Sequence, residues 1–335
     1  MSTADSPPAA QPAPAQPAPA QPAPAQPAAA GPSVSQPAAA PPSAAEPAAA
    51  LAAADSAAWR PAPARAWLRL LRSELGLTFL RWRNVALLGV LAVIPVLIGV
   101  ALRLASPSNS GQGPPFLDQV AGNGIFLSFL ALTVMLTLVL PLAVAVVSGD
   151  SMAGEAGHGT LRYLLAVPAG RVRLLAVKYT ALLTFSLASV ILVAAVSLAT
   201  GAVAFPVGPV TLLSGTTVSI ADGLARLALV TLYVAAAMAA LAAIGLAIST
   251  FTEHAIAAIT AILVLVIGSE VTDSVPQFAI VHPYLPTHWW LSFDGLLRSP
   301  VDWSGTGHGL LSFAAYAVIF GAIAWARFTT ADITS

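Results

Sequence analysis

The sequence predicts an all-α membrane protein, with six transmembrane helices behind an amphipathic helix that lies in the membrane interface. Three observations predict it. Hydrophobic residues make up 57% of the 335-residue chain and charged residues only 8%, against about 25% charged in an ordinary soluble domain. So few charges cannot cover a water-exposed surface, and a mean hydropathy of +0.83 agrees. Six apolar segments follow one another, each near the roughly 20 residues that a helix needs to cross a bilayer. Arginines gather on alternate connections, as the positive-inside rule requires of a multi-pass chain.

The elements follow in order. Residues 1–64 are rich in Pro, Ala and Gln, and a Gln-Pro-Ala-Pro-Ala unit repeats from Gln11 through Gln16 and Gln21. Such a run has little to bury against its ordering entropy, so a disordered cytoplasmic tail is expected. It lacks the basic and apolar regions of a signal peptide. Over 65–83, Leu68, Leu71, Leu75, Phe79 and Trp82 recur at helical spacing, while Arg65, Arg69 and Arg72 occupy another face. That pattern reads as an interfacial helix. Residues 84–328 hold the spans, near 85–104, 125–147, 179–200, 224–249, 255–271 and 310–326. Residues 329–335 form a short C-terminus.

Charge gives a direction. Arg60, Arg65, Arg69, Arg72, Arg81 and Arg83 precede the first span. Arg162, Arg171, Arg173 and Lys178 lie between the second and third, and Arg327 follows the sixth. Six crossings put all of these on one side, so both termini are expected in the cytoplasm, with the body in the cell (inner) membrane. Trp67, Trp82, Trp289, Trp290 and Trp325 fall near expected interfaces and read as anchors. The outer loop 272–309 is the longest, and Trp289 and Trp290 are expected to anchor a short interfacial or re-entrant helix within it.

Several functions are disfavoured. Lys+Arg and Asp+Glu balance at 14 each, which suggests no nucleic-acid partner. There is no Cys, which excludes disulfides and thiolate chemistry. His282, His288 and His308 share the outer loop, but their spacing matches no zinc motif, so no metal site is expected. A phosphate-binding P-loop needs Gly-Lys-Ser/Thr. The only lysine, Lys178, sits between Val177 and Tyr179. The middles of the spans carry no ionisable residue, whereas an ion-coupled carrier usually needs one there.

The segment 148–178 is the most informative. It is too polar to span, yet it contains the apolar stretch 161–167. Gly154, Gly157 and Gly159 allow tight turns and close backbone approach. Thr160 can cap a helix that starts near Leu161, and Pro168 ends it. A short helix parallel to the membrane is expected, flanked by Glu155 and by Arg171 and Arg173.

Glu155, Gly159-Thr160-Leu161, Leu164-Leu165, Pro168, Arg171 and Lys178 resemble the signature of ABC-2 type transporter permeases. The six spans, the leading interfacial helix, the large last outer loop and a C-terminal Arg327-Phe328 followed by Asp332 extend the resemblance. Residues 329–331 lack the basic residues common before that final Asp. The resemblance implies an ABC-2, type V exporter-like fold and a transmembrane subunit that is not an enzyme. Its ATP and magnesium would be held by a separate ATPase subunit, and it would pair with a second permease chain to complete a path through membrane lipid. Glu155, Gly159, Thr160, Leu161, Leu164, Leu165, Pro168, Arg171 and Lys178 would then couple the spans to the ATPase. A secondary carrier, or a structural or sensory membrane protein with a permease-like body, is the alternative.

Overall fold

The computed structural model describes residues 63–105, 123–157, 171–212 and 214–330. All of them belong to one compact unit, 61–335. The tail 1–60 and the central part of the 148–178 segment lie outside the described residues, as does the C-terminus 331–335.

Helix α1 spans Pro63–Leu80. It begins on a proline, which the first helical turn tolerates because its N–H would be unpaired there anyway. The chain bends at Arg81, and α2 runs Trp82–Ala105. Asn84, buried at this elbow, donates through Nδ2 to the Thr78 carbonyl at 2.7 Å. It thereby satisfies one of the carbonyls that the end of α1 leaves without a helical partner.

The second expected span, 125–147, is broken. Helix α3 runs Phe126–Thr137 and α4 runs Val139–Gly157, with Leu138 between them at φ −144° and ψ −47°. Pro141 accounts for the position of the break. It has no N–H to give the carbonyl four residues back, and its ring crowds that carbonyl, which belongs to Thr137. Helix α4 then continues ten residues past the expected end of the span. Helix α5 runs Arg171–Ala204, about 51 Å at 1.5 Å per residue. A two-stranded antiparallel hairpin follows, β1 (Val210–Thr211) on β2 (Thr217–Val218), a small departure from an all-α chain. Gly215, at φ +78°, turns it.

Helices α6 (Ile220–Ser249) and α7 (Ala255–Asp273) come next. Ser219 caps α6 by accepting from the Asp222 N–H. The loop from 274 to 302 contains three 3₁₀ turns, at Pro276–Phe278, His282–Tyr284 and Ser292–Leu297. Helix α8 spans Trp303–Thr330, beginning seven residues earlier than the sequence pattern suggests. Asp302 explains this, because its carboxylate accepts from the Ser304 N–H at 2.9 Å and the Ser304 hydroxyl at 2.7 Å. An N-cap of that kind starts a helix even where Gly305, Gly307 and Gly309 follow.

Six helices (α2, α4, α5, α6, α7 and α8) are long and apolar enough to cross a membrane; α3 is a shorter apolar helix. The chain is a multi-pass membrane protein. Helix α6 is the hub, packed against α4, α5 and α8. Helices α2, α7 and α8 bury little of their apolar surface. Glycines set the closest approaches. A side chain at Gly124 or Gly201 would run into the other's backbone, so the chain just before α3 lies in direct contact with α5 there. Gly149 lets α4 lie against Ile259 of α7, where a Cβ would sit 2.9 Å from Ile259 Cγ1.

Candidate functional site: an ionic junction at the α4–α5 end

One lysine in an apolar helix sets the problem. Lys178 lies seven residues into α5 and is 1% exposed. A buried ammonium is tolerated only with charged or hydrogen-bonding partners. Two carboxylates supply them. Lys178 Nζ donates to Glu155 Oε1 of α4 at 2.6 Å and to Glu74 Oε1 of α1 at 2.7 Å. Both carboxylates are largely buried, at 15% and 17% side-chain exposure. The lysine therefore ties three helices at one point.

A second group adjoins it. Asp150, two turns before the end of α4, accepts from Arg81 and, at 2.9 Å, from Arg83 Nη2. The two arginines are half-exposed, while the aspartate is nearly buried. Their bonds hold the α1–α2 elbow to α4. Gly154 makes the room, because a side chain there would collide with the Asp150 carboxylate. Gly157 has a similar role one turn on, where a Cβ would stand 2.7 Å from the Glu253 carbonyl in the α6–α7 turn. These two glycines sit in a helix, so they make the close approach that the sequence suggested and not the tight turns. Glu74, Arg81, Asp150, Glu155, Lys178 and Leu182 line a single cleft. Among the described residues, three basic side chains (Arg81, Arg83 and Lys178) and three acidic ones (Glu74, Asp150 and Glu155) meet there, and their formal charges balance.

The sequence-derived residues divide as follows. Glu155 and Lys178 come together in an ion pair. Arg171 opens α5. Gly159, Thr160, Leu161, Leu164, Leu165 and Pro168 lie outside the described residues, as does the expected helix between them. Glu74, Asp150, Arg81 and Arg83 enter the site although the sequence reading gave them no role beyond membrane orientation. One signal for Glu74 was legible: it interrupts the apolar stripe of α1 between Leu71 and Leu75. Asp150 and Glu155 were assigned to a loop, and only the extension of α4 brings them inside the bundle.

The expected tryptophan anchors also divide. Trp82 is 84% exposed and Trp325 51%. Trp67 is half-buried. Trp290, at 3%, belongs to the core beside Phe293 and Phe313, so its ring does not reach a lipid surface. Trp289 stacks on His308 at 5.4 Å. At the far end of α7, His288 Nδ1 donates to Asp273 Oδ1 at 2.6 Å, with His282 near the same oxygen. Among the described residues, no three His, Cys, Asp or Glu side chains are grouped to hold a metal ion.

No curated protein matches the chain. A family model described as a protein of unknown function (DUF2705) matches residues 92–334. The match begins inside α2, so Asp150, Glu155 and Lys178 fall within it and Glu74, Arg81 and Arg83 precede it. It covers well over half of the sequence, and the chain belongs to this DUF2705 family of proteins of unknown function.

Proposed function

We propose that this protein is the permease subunit of an ATP-binding-cassette exporter of the ABC-2 type, forming half of a translocation path and driven by a separate ATPase subunit. The observation that carries the reading is the junction at Lys178. Residues 158–170, which resemble an ATPase-docking segment, leave from the end of α4 and return at the start of α5. Glu155 lies two residues before that departure and Lys178 seven residues after α5 begins, and the two are bonded at 2.6 Å. A push on the segment would move both helices together and, through Glu74, would move α1 as well. In this reading ATP and magnesium stay on the partner, a second permease chain completes the path, and the junction faces the cytoplasm of a cell whose inner membrane holds the six spans. The arginine distribution supports that orientation.

The test is co-purification with an ATPase, followed by ATP-driven transport in vesicles. Glu155→Ala and Gly159→Trp are expected to uncouple transport, and Gly159→Trp to weaken ATPase capture. Full binding and transport in both variants would overturn the coupling assignment.

A second reading has an observation of its own. The sequence suggested that the middles of the spans lack ionisable groups, and it placed Asp150, Glu155 and Lys178 in the connection between two of them. However, α4 and α5 carry Asp150, Glu155 and Lys178 inside helices counted as spans, and buried charges in spans are the usual proton or ion relays of secondary carriers. Flux driven by a pH or sodium gradient in vesicles without ATP would favour this carrier reading over the first.

A further inference from the structure

Between α7 and α8 the chain's amphipathicity is inside out. Over 276–284, Ile280 is 85% exposed, Tyr284 76% and Phe278 51%. Two polar side chains nearby point inward instead, His282 at 16% exposed and Thr287 at 4%, while Gln277 stays exposed among the apolar groups. These inward groups fasten the segment to its neighbours. His282 Nε2 lies 3.1 Å from the Val275 carbonyl; a carbonyl only accepts, so this nitrogen donates. His288 bonds Asp273 at the end of α7, and Thr287 shares a hydrogen bond with Ser269 of α7 at 2.8 Å. Trp289 Nε1 donates to the Pro283 carbonyl at 3.0 Å, and the Tyr316 hydroxyl of α8 donates to the Tyr284 carbonyl. The backbone also pairs within itself. Phe278, Val281 and Tyr284 N–H groups donate to the Val275, Phe278 and Val281 carbonyls at 3.0, 2.8 and 2.9 Å.

In water this arrangement is the wrong way round, since it presents apolar groups and hides histidines. At a lipid surface it is the right way, because a segment can enter the boundary layer only with its backbone bonds made internally and its apolar side chains outward. We propose that residues 276–284 form an apolar wedge that rests in the interfacial layer of the bilayer, with Phe278, Ile280 and Tyr284 among the lipid chains. Continuity with the spans points to lipid as the occupant. The wedge begins three residues after α7 ends, its first turn packs on α7, and the exposed Ile267 and Val271 lead up to it. No Asp, Glu, Lys or Arg occurs from Ser274 through Thr287. The wedge also takes over the anchoring that the sequence suggested for Trp289 and Trp290.

The absence of native cysteine makes the test direct. The full chain carrying Ile280→Cys, labelled with a nitroxide, is reconstituted in vesicles of phosphatidylcholine and phosphatidylglycerol. Collision with oxygen is compared with collision with a water-soluble nickel chelate, and Ile319→Cys on the exposed face of α8 serves as the lipid reference. The expected result is a loss of chelate collisions at position 280 comparable to that at 319. Tyr284→Cys should repeat it. Chelate collisions exceeding oxygen collisions at both positions would overturn the proposal. So would shielding that disappears, along with dipolar broadening, when labelled chains are diluted with unlabelled ones, because a second copy would then be the cover.

Discussion

Lys178 shows how a single residue can govern a region. Its ammonium is buried between Glu74 and Glu155, and removing it leaves two carboxylates facing each other in a low-dielectric site. Breaking a buried ion pair by deleting one partner costs about 3–5 kcal/mol. Lys178→Met is therefore expected to lower the thermal midpoint of the purified protein markedly. The triple variant Glu74→Gln, Glu155→Gln, Lys178→Met should recover much of the loss, since no uncompensated charge remains. Thermal unfolding in one detergent, with all variants side by side, checks both. Gly154 belongs to the same scale. Gly154→Ala would push the Asp150 carboxylate away from Arg81 and Arg83, and overpacking of this kind costs about 1–3 kcal/mol. If Gly154→Ala melts with the wild type, the Asp150 contact is not what the glycine protects.

At the scale of elements, boundaries follow from single hydrogen-bonding groups. Pro141 splits one apolar run into α3 and α4, so Pro141→Ala should let residue 141 donate to Thr137 and join the two helices. Spin-label distances between the start of α3 and the end of α4 would then lengthen; unchanged distances would locate the cause of the break elsewhere. Asp302 starts α8, and the Ser304 hydroxyl and N–H hold its carboxyl below the ordinary carboxylate range. A group whose folded pKa is lowered stabilises the fold above its unfolded pKa, and that contribution fades as pH falls through the folded value. The first turn of α8 should thus exchange amide hydrogens faster in acid than at neutral pH, after correction for intrinsic exchange. Asp302→Ala should show the faster rate at both. The contact of α5 with the turn that leads into α3 is set by Gly124 and Gly201, whose backbones touch. Gly201→Ala cannot be relieved by rotating a side chain, so it should destabilise the protein more than Gly321→Ala on the open face of α8, where nothing lies within 4 Å.

At the scale of the whole molecule, charges sit at the ends and apolar surface on the sides. The Lys178 junction closes the end where α4 stops and α5 starts, and the 274–302 loop closes the end where α7 stops and α8 starts. The compact unit begins at Pro61. A chain lacking residues 1–60 is therefore expected to keep the thermal midpoint of the full chain and, if the proposed function holds, the transport that function predicts. Loss of transport with an intact midpoint would instead favour a partner-recruiting role for the tail.

The sequence by itself determined the class of molecule, the number of crossings and the position of most helices. Hydropathy and length are local quantities, and a run of apolar residues in lipid has few alternatives to a helix. Its motif also singled out Glu155 and Lys178. What only the tertiary structure decided was depth and pairing. Whether Asp150 and Glu155 stand in a loop or a helix depends on where α4 can end, and Gly149, Gly154 and Gly157 let it run on because α7, Asp150 and the α6–α7 turn occupy the space their side chains would take. Glu74 and Lys178 are 104 residues apart, and no local pattern records that one neutralises the other. The inward histidines and outward Ile280 of the last loop belong to the same class. A residue's type suggests which solvent it prefers, but only the packed fold determines which way it faces.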